Sequence, residues 1–108
     1  MSSDEKLFGA LEAGGSKMNC AILDINGKII AESTIPTTTP EETSKKLLDF
    51  FSNYKIVSLG IGTFGPIDLN PKSEKYGSIL NSPKLAWIGF NYINVFKSLN
   101  VQLESILM

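Results

Sequence analysis

Three short runs in this chain carry residue types that could do chemistry. The first is Glu12-Ala13-Gly14-Gly15-Ser16-Lys17. It offers a carboxylate, two glycines whose backbone N–H groups can approach an anion, a hydroxyl and an ammonium. Together these could hold phosphate oxygens and a hydrated magnesium ion. The run is not a Walker A loop, because the spacing differs and the residues after it suit a strand rather than a helix. By itself it reads more simply as a hairpin turn.

The second run, Gly60-Ile61-Gly62-Thr63-Phe64-Gly65-Pro66-Ile67-Asp68, closes an apolar stretch with glycines and a proline. Such residues imply close backbone approach, and in open mixed sheets ligands sit beyond the carboxyl ends of strands. A tight turn with Asp68 exposed or capping a backbone group is the plainer account. The third run, Ser78-Ile79-Leu80-Asn81-Ser82-Pro83-Lys84-Leu85-Ala86-Trp87, combines an amide, hydroxyls, an ammonium and an indole. Aromatic rings cover apolar sugar faces and amides bond to hydroxyls, so this loop could face a sugar. A tryptophan that anchors a long loop to the core fits as well.

The elements that must position these runs are legible in the hydrophobic pattern. Leu7 to Glu12, Met18 to Leu23 and Lys28 to Ile35 read as three strands. Ala13 to Ser16 is the first turn between them. Asn26-Gly27 is the second, both residues accepting positive φ cheaply in a tight hairpin. The result is an antiparallel meander. A helix from about residue 40 to 53 follows, with Thr39 as cap, Pro40 in the first position and Glu42 placed as in a capping box. Leu47, Leu48, Phe51 and Tyr54 form its buried stripe.

Ile56 to Gly62 is a fourth strand, apolar on both faces, which predicts a central position with both sides covered. Residues 63–89 are irregular except near Tyr76 to Leu80, and so long an irregular segment is usually functional or disordered. Asn91 caps a second helix carrying Tyr92, Val95, Phe96 and Leu99 on one face. Val101-Gln102-Leu103-Glu104 alternates like the start of a fifth strand.

Composition excludes several classes. At 108 residues the chain suits one domain, with 43% hydrophobic and 19% charged residues. Its net charge of -1 gives no electrostatic reason to expect nucleic acid or an anionic membrane as partner. No apolar run approaches the roughly 20 residues of a membrane helix. One cysteine, Cys20, allows no intrachain disulfide, and a reducing cytoplasm is the simplest home. The absence of histidine removes the commonest general base and every Ser-His or Cys-His nucleophile pair.

These runs together resemble a known family. Gly9 to Lys17 is similar to the opening G-x-(D/E)-x-G-G-T-K signature of the ROK sugar kinases. Ile35-Pro36-Thr37-Thr38-Thr39-Pro40-Glu41-Glu42-Thr43 resembles the segment after the meander in the family's bacterial fructokinases. Gly60 to Asp68 resembles the G-(I/V)-G-x-x-G-P-(I/V)-D element. Lys75-Tyr76-Gly77, Ser82-Pro83-Lys84 and Trp87 fall in the fructokinase order. The likeness runs from Leu7 to about Leu99.

The resemblance implies an α/β, actin-like ATPase and ribonuclease-H-like fold: a three-stranded antiparallel meander, then further strands and helices in a mixed sheet. It implies ATP-dependent phosphorylation of a hexose, fructose above all, with magnesium. Gly14, Gly15, Ser16 and Lys17 would line the phosphate hairpin, and Glu12 would act on the metal through water. Gly65 and Pro66, with the loop around Asn81, would sit near the sugar. Ser16 stands where the family usually has threonine, keeping the hydroxyl.

The family's D-x-N-x-A-A-like segment, whose carboxylate takes the proton from the sugar hydroxyl, has no counterpart among Gln102 to Met108. No catalytic base is therefore expected in residues 1–108, which read as the amino-terminal lobe alone, without the second lobe or the His- and Cys-bearing zinc segment. Such a half-cleft is expected to be inactive by itself. It is also expected to self-associate through Tyr92, Phe96 and an unpaired Val101–Leu107 edge. Other readings stay open. They are a glucose or amino-sugar kinase of the same family, a non-catalytic half with a binding or oligomerising role, and a ROK transcriptional regulator. The last is disfavoured because Glu12 leaves no room before it for a winged-helix region.

Overall fold

The meander forms as its alternation dictates. In the computed structural model, which describes residues 6–99 and the backbone of Ile106–Leu107, β1 (Leu7–Ala13) pairs antiparallel with β2 (Lys17–Leu23). In turn β2 pairs antiparallel with β3 (Ile29–Pro36). A parallel partner for β1 requires a crossover, and β2, β3 and α1 (Pro40–Phe51) supply it before β4 (Ile56–Thr63) arrives. A short 3-10 helix (Leu85–Trp87), α2 (Tyr92–Phe96) and β5 (Ile106–Leu107) follow, β5 pairing parallel with β4. The sheet order is β3-β2-β1-β4-β5.

One face of this sheet holds the core. Leu11 and Ala13 of β1, Met18, Cys20 and Ile22 of β2, and Leu59 and Ile61 of β4 are buried. Leu47 and Phe51 of α1 and Tyr92 and Phe96 of α2 belong to the same cluster, with Ile35, Ile56, Ile79 and Trp87. Gly9 is required here, because a Cβ would stand 2.9 Å from side-chain carbons of both Ile56 and Leu59. The opposite face carries Phe8, Ala10, Glu12, Asn19, Ala21 and Leu23, half-buried or exposed. β4 is central, as expected, but only one of its faces is covered. Cβ atoms at Gly60 and Gly62 would meet nothing within 4 Å.

The second turn departs from the two-residue hairpin that Asn26-Gly27 suggests. Only Gly27 has positive φ, at 82°. Gly27 N–H donates to Asp24 O, and the Asp24 carboxylate accepts from the N–H groups of Asn26 and Lys28, each 2.9 Å. The Asp24 side chain stabilises a longer turn with glycine in the left-handed position at its end.

Thr39 caps α1 by accepting from Glu42 N–H at 3.2 Å. Glu42 does not complete the capping box; its carboxylate accepts from the Thr38 hydroxyl, at 3.5 Å. The stripe is as the spacing predicts, with Leu47 and Phe51 fully buried and Leu48 and Tyr54 partly so. Thr43 lies inside it as well, its hydroxyl accepting from Thr38 N–H and donating to Pro36 O.

The irregular stretch is ordered by its own hydrogen bonds. Residues 77–80 lie between two neighbours. Asp68 N–H donates to Ser78 O, Leu80 N–H to Pro66 O, Ile79 N–H to Phe90 O and Tyr92 N–H to Gly77 O. Asn91 caps α2 at Asn94 N–H, 2.9 Å. Tyr92 and Phe96 are wholly buried, contrary to the expectation that they form an exposed apolar surface. The Tyr92 hydroxyl bonds that of Thr63 at 2.7 Å, and the Phe96 ring packs edge-on to Phe51. The Val101-Gln102-Leu103-Glu104 alternation lies outside the described residues.

Candidate functional site

β1 and β4 run parallel, so their carboxyl ends meet at one edge of the sheet. Glu12 registers with Gly62 and Ala13 with Thr63, and Phe64 N–H then donates to Ala13 O at 2.9 Å. The Gly14–Lys17 turn and the loop beginning at Phe64 therefore leave the sheet side by side. The Leu80 N–H to Pro66 O bond and the Ile67–Ile79 bridge bring the third run to the same edge.

Within the turn, Gly14 N–H is committed to Lys17 O at 3.0 Å. A Cβ at Gly14 would fall 2.8 Å from that same carbonyl, which explains the glycine. Gly15 and Ser16 form the tip, and among the described residues neither N–H donates to a backbone carbonyl. Those two amides, unlike Gly14's, are left without a backbone acceptor among the described residues. Lys17 and Ser16 are exposed.

The turn is tied down from the side. Thr37 donates its hydroxyl to Gly14 O at 2.8 Å and its N–H to Ser16 O at 3.0 Å. Glu12 is exposed on the uncovered face of the sheet, in one row with Gly62, Asn19 and Thr34. Asn19 Nδ2 donates to Glu12 Oε1 at 3.5 Å, and its Oδ1 accepts from the Thr34 hydroxyl at 3.1 Å. Alternation along β2 puts Lys17 on that face too.

Gly65 and Pro66 are exposed beside the turn, joined by a cis peptide bond. A Cβ at Gly65 would lie 2.9 Å from Ile67 N. Asn81 is exposed, and its Oδ1 accepts from the adjacent Ser82 N–H at 3.1 Å. Lys84 reaches the Gly14–Lys17 turn, since a Cβ at Gly15 would be 3.3 Å from Lys84 Cε. Trp87 is the core anchor of its two readings. It is 1% exposed, packs edge-on to Phe64 and Phe90, and donates its indole N–H to Thr38 O at 3.0 Å.

Asp68 caps its own loop, accepting from Asn70 N–H and the Ser73 hydroxyl. The Ser73 bond first, then that of Asn70, holds its carboxyl below the usual 3.8. Burial pushes the Cys20 thiol up to about 11 and raises the Tyr92 phenol against the opposing effect of its Thr63 bond.

The pattern of residue types did not single out Asn19 or Thr37 as site residues, and it set Lys84 on the candidate sugar loop rather than at the turn. Asn19 was findable, because a turn over 14–17 sets it opposite Glu12. No local signal placed Thr37 or Lys84 at the turn, since each meets it only through tertiary folding.

Comparison with known proteins decides the family. The ROK family model matches residues 8–104. The chain belongs to the ROK family. A fructokinase of Pediococcus pentosaceus is 45% identical over 92 residues, covering 85% of this chain and 32% of that protein. A ROK family protein of Streptococcus pneumoniae, solved with sucrose, superposes with a TM-score of 0.70 at 20% identity over 94% of this chain and 33% of its own. A ROK family glucokinase of Streptomyces griseus, solved with glucose and AMPPNP, gives 0.65 at 22% identity over 90% and 31%. This ROK chain thus spans about a third of the length of the curated relatives it matches. Its fold is the actin-like, ribonuclease-H-like α/β arrangement of ROK sugar kinases.

Proposed function

We propose that this chain supplies the phosphate-holding turn and part of the sugar side of a ROK hexose kinase that converts fructose to fructose 6-phosphate with ATP. The observation that carries the reading is the meeting of the Gly14–Lys17 turn with the Gly65–Pro66 and Asn81–Lys84 loops at the carboxyl ends of β1 and β4. The fructokinase names among its relatives, at 37–45% identity, support the choice of sugar. The Streptomyces griseus glucokinase was solved with glucose, so glucose or an amino sugar is the alternative that experiment must separate.

In the reaction the sugar hydroxyl oxygen bonds to the terminal phosphorus of the nucleotide while the bond from that phosphorus to the ADP oxygen breaks. We place the base that takes the hydroxyl proton outside residues 1–108. ATP and magnesium supply the phosphoryl group and neutralise its charge. Of the chain's own residues, Gly15 and Ser16 present N–H groups to phosphate oxygens, Lys17 adds an ammonium, and Thr37 holds the turn in place.

Glu12 stands on the same face as Lys17 and is oriented by Asn19. Among the described residues no group of three or more His, Cys, Asp or Glu side chains could hold a metal ion. A single exposed carboxylate fits magnesium held through its waters and the phosphates, not a closed protein cage.

Alone, the chain is expected to give no ordinary turnover, because loss of a general base costs about 10²–10⁴ in rate. A coupled assay with fructose and magnesium-ATP tests this. Calorimetric titration with fructose, glucose and magnesium-ADP tests the assignment. Selective heat with fructose supports it, and equal or preferential heat with glucose turns it toward the alternative. Self-association, if it accompanies this role, uses surfaces such as Ile29, Leu69 and Leu85, which are 52%, 54% and 76% exposed. Light scattering that finds only monomer at high concentration would exclude it.

No described helix is long and apolar enough to cross a membrane.

A further inference from the structure

We propose that Lys84, on the loop from the sugar side, contacts the phosphoryl group held by the Gly14–Lys17 turn, making it a substrate-contacting residue beside Lys17. The inference deepens the reading given above and rests on that turn being the phosphate site.

The geometry begins with the lysine's backbone, which is held on both sides. Lys84 N–H donates to the hydroxyl of Ser82, a buried residue, at 3.0 Å, and Lys84 O accepts from Trp87 N–H at 3.0 Å. Trp87 is fixed in turn by its indole bond to Thr38 O. The next residue back, Thr37, makes both bonds that fix the turn, to Gly14 O and Ser16 O. The turn and the lysine loop are thus fastened to adjacent residues of one strand end, so their separation is set by the fold rather than by the lysine's own rotamer.

Across that separation lies the side chain. Its Cε would be 3.3 Å from a Cβ at Gly15, a closeness that glycine alone permits without displacing the stem. The ammonium is one bond further on, at the tip whose Gly15 and Ser16 amides have no backbone acceptor among the described residues. Lys17, the last residue of the same turn, is exposed, and alternation along β2 sets it on the uncovered face of the sheet. Two ammonium groups arriving from different segments suit a group that carries several negative charges and passes between them. They neutralise it at two points without the reorganisation that water would require. The Ser82 and Trp87 bonds are made by the backbone of residue 84 and fix where its side chain starts, and the missing Cβ at Gly15 leaves room for the stem.

Inorganic pyrophosphate, titrated into the intact chain and followed by amide NMR, tests this without any need for turnover. We expect the Gly15 and Ser16 amide signals to move. Lys84→Met should weaken the fitted affinity about tenfold, the size of one charge-assisted hydrogen bond. Lys84→Arg should restore most of it. Lys28→Met, at the far end of the meander, removes the same charge and should leave affinity within twofold. Because Lys84 is exposed, Lys84→Met should fold normally, and unchanged core amide shifts verify that. If the turn amides respond equally in the parent and in Lys84→Met, the role of Lys84 is wrong while the phosphate turn stands. If they do not respond in the parent at all, the turn is not a phosphate site and both readings fall.

Discussion

Gly14 and Gly15 adjoin in sequence but meet different surroundings, and substitution should separate them. A methyl at position 14 meets a backbone carbonyl that cannot move without opening the hairpin, whereas at position 15 it meets only the flexible end of Lys84. Gly14→Ala should cost about 1–3 kcal/mol in urea denaturation and Gly15→Ala less than about 0.5. Three titrating groups give pH signatures, two of one sense and one of the other. The fold favours the neutral Cys20 thiol, raised by burial from 9.0 to about 11. Its contribution is whole below pH 9.0 and lost as pH rises toward 11, with Tyr92 acting in the same sense. Cys20→Ala should flatten that alkaline decline, and native Cys20 should resist thiol reagents until the chain unfolds. Asp68 is depressed, so its contribution is present above pH 3.8 and lost as acid takes the pH down through its folded value. Ser73→Ala should reduce the acid sensitivity in a melting series at pH 2 to 5.

At the scale of elements, the junction between β3 and α1 matters most. Thr43 is fully buried and serves Thr38 N–H and Pro36 O, while Trp87 fastens Thr38 from the other side. Thr43→Val keeps the shape but leaves Thr38 N–H without its acceptor, an expected loss of about 1–3 kcal/mol by chemical denaturation. The helix itself was legible, because Thr39, Pro40 and the Leu47–Phe51 stripe are local signals. The role of Thr43 was not, since a threonine on an apolar face announces no partner until β3 and the loop that bears Trp87 have folded against it. The second turn teaches the same lesson at shorter range. Asn26-Gly27 marked its place, but the carboxylate of Asp24, with two N–H groups to satisfy, chose its form.

For the whole molecule, the consequence of the fold is an asymmetric sheet. Its helices cover one face, while the other carries Phe8 and Leu23 at one end and the Glu12–Asn19 pair at the other. Ile29→Lys and Leu85→Lys remove exposed apolar surface without touching the core. Each should leave the urea midpoint nearly unchanged, within about 0.5 kcal/mol, and raise the concentration at which light scattering first detects aggregates. A large loss of stability in either would mean that the residue is packed rather than exposed.

The sequence by itself determined the meander, the capped helix, the central fourth strand and the family, because alternation, caps and glycine spacing are local and linked motifs are specific. It also marked Glu12, the Gly14–Lys17 turn, Gly65–Pro66 and Asn81. Only the tertiary structure decided which of these share an edge, that Tyr92 and Phe96 are interior, that Trp87 is an anchor and that Lys84 reaches the turn. The physical reason is that a parallel β1–β4 pairing joins residues about fifty positions apart, and no local pattern encodes what such a pairing brings into contact.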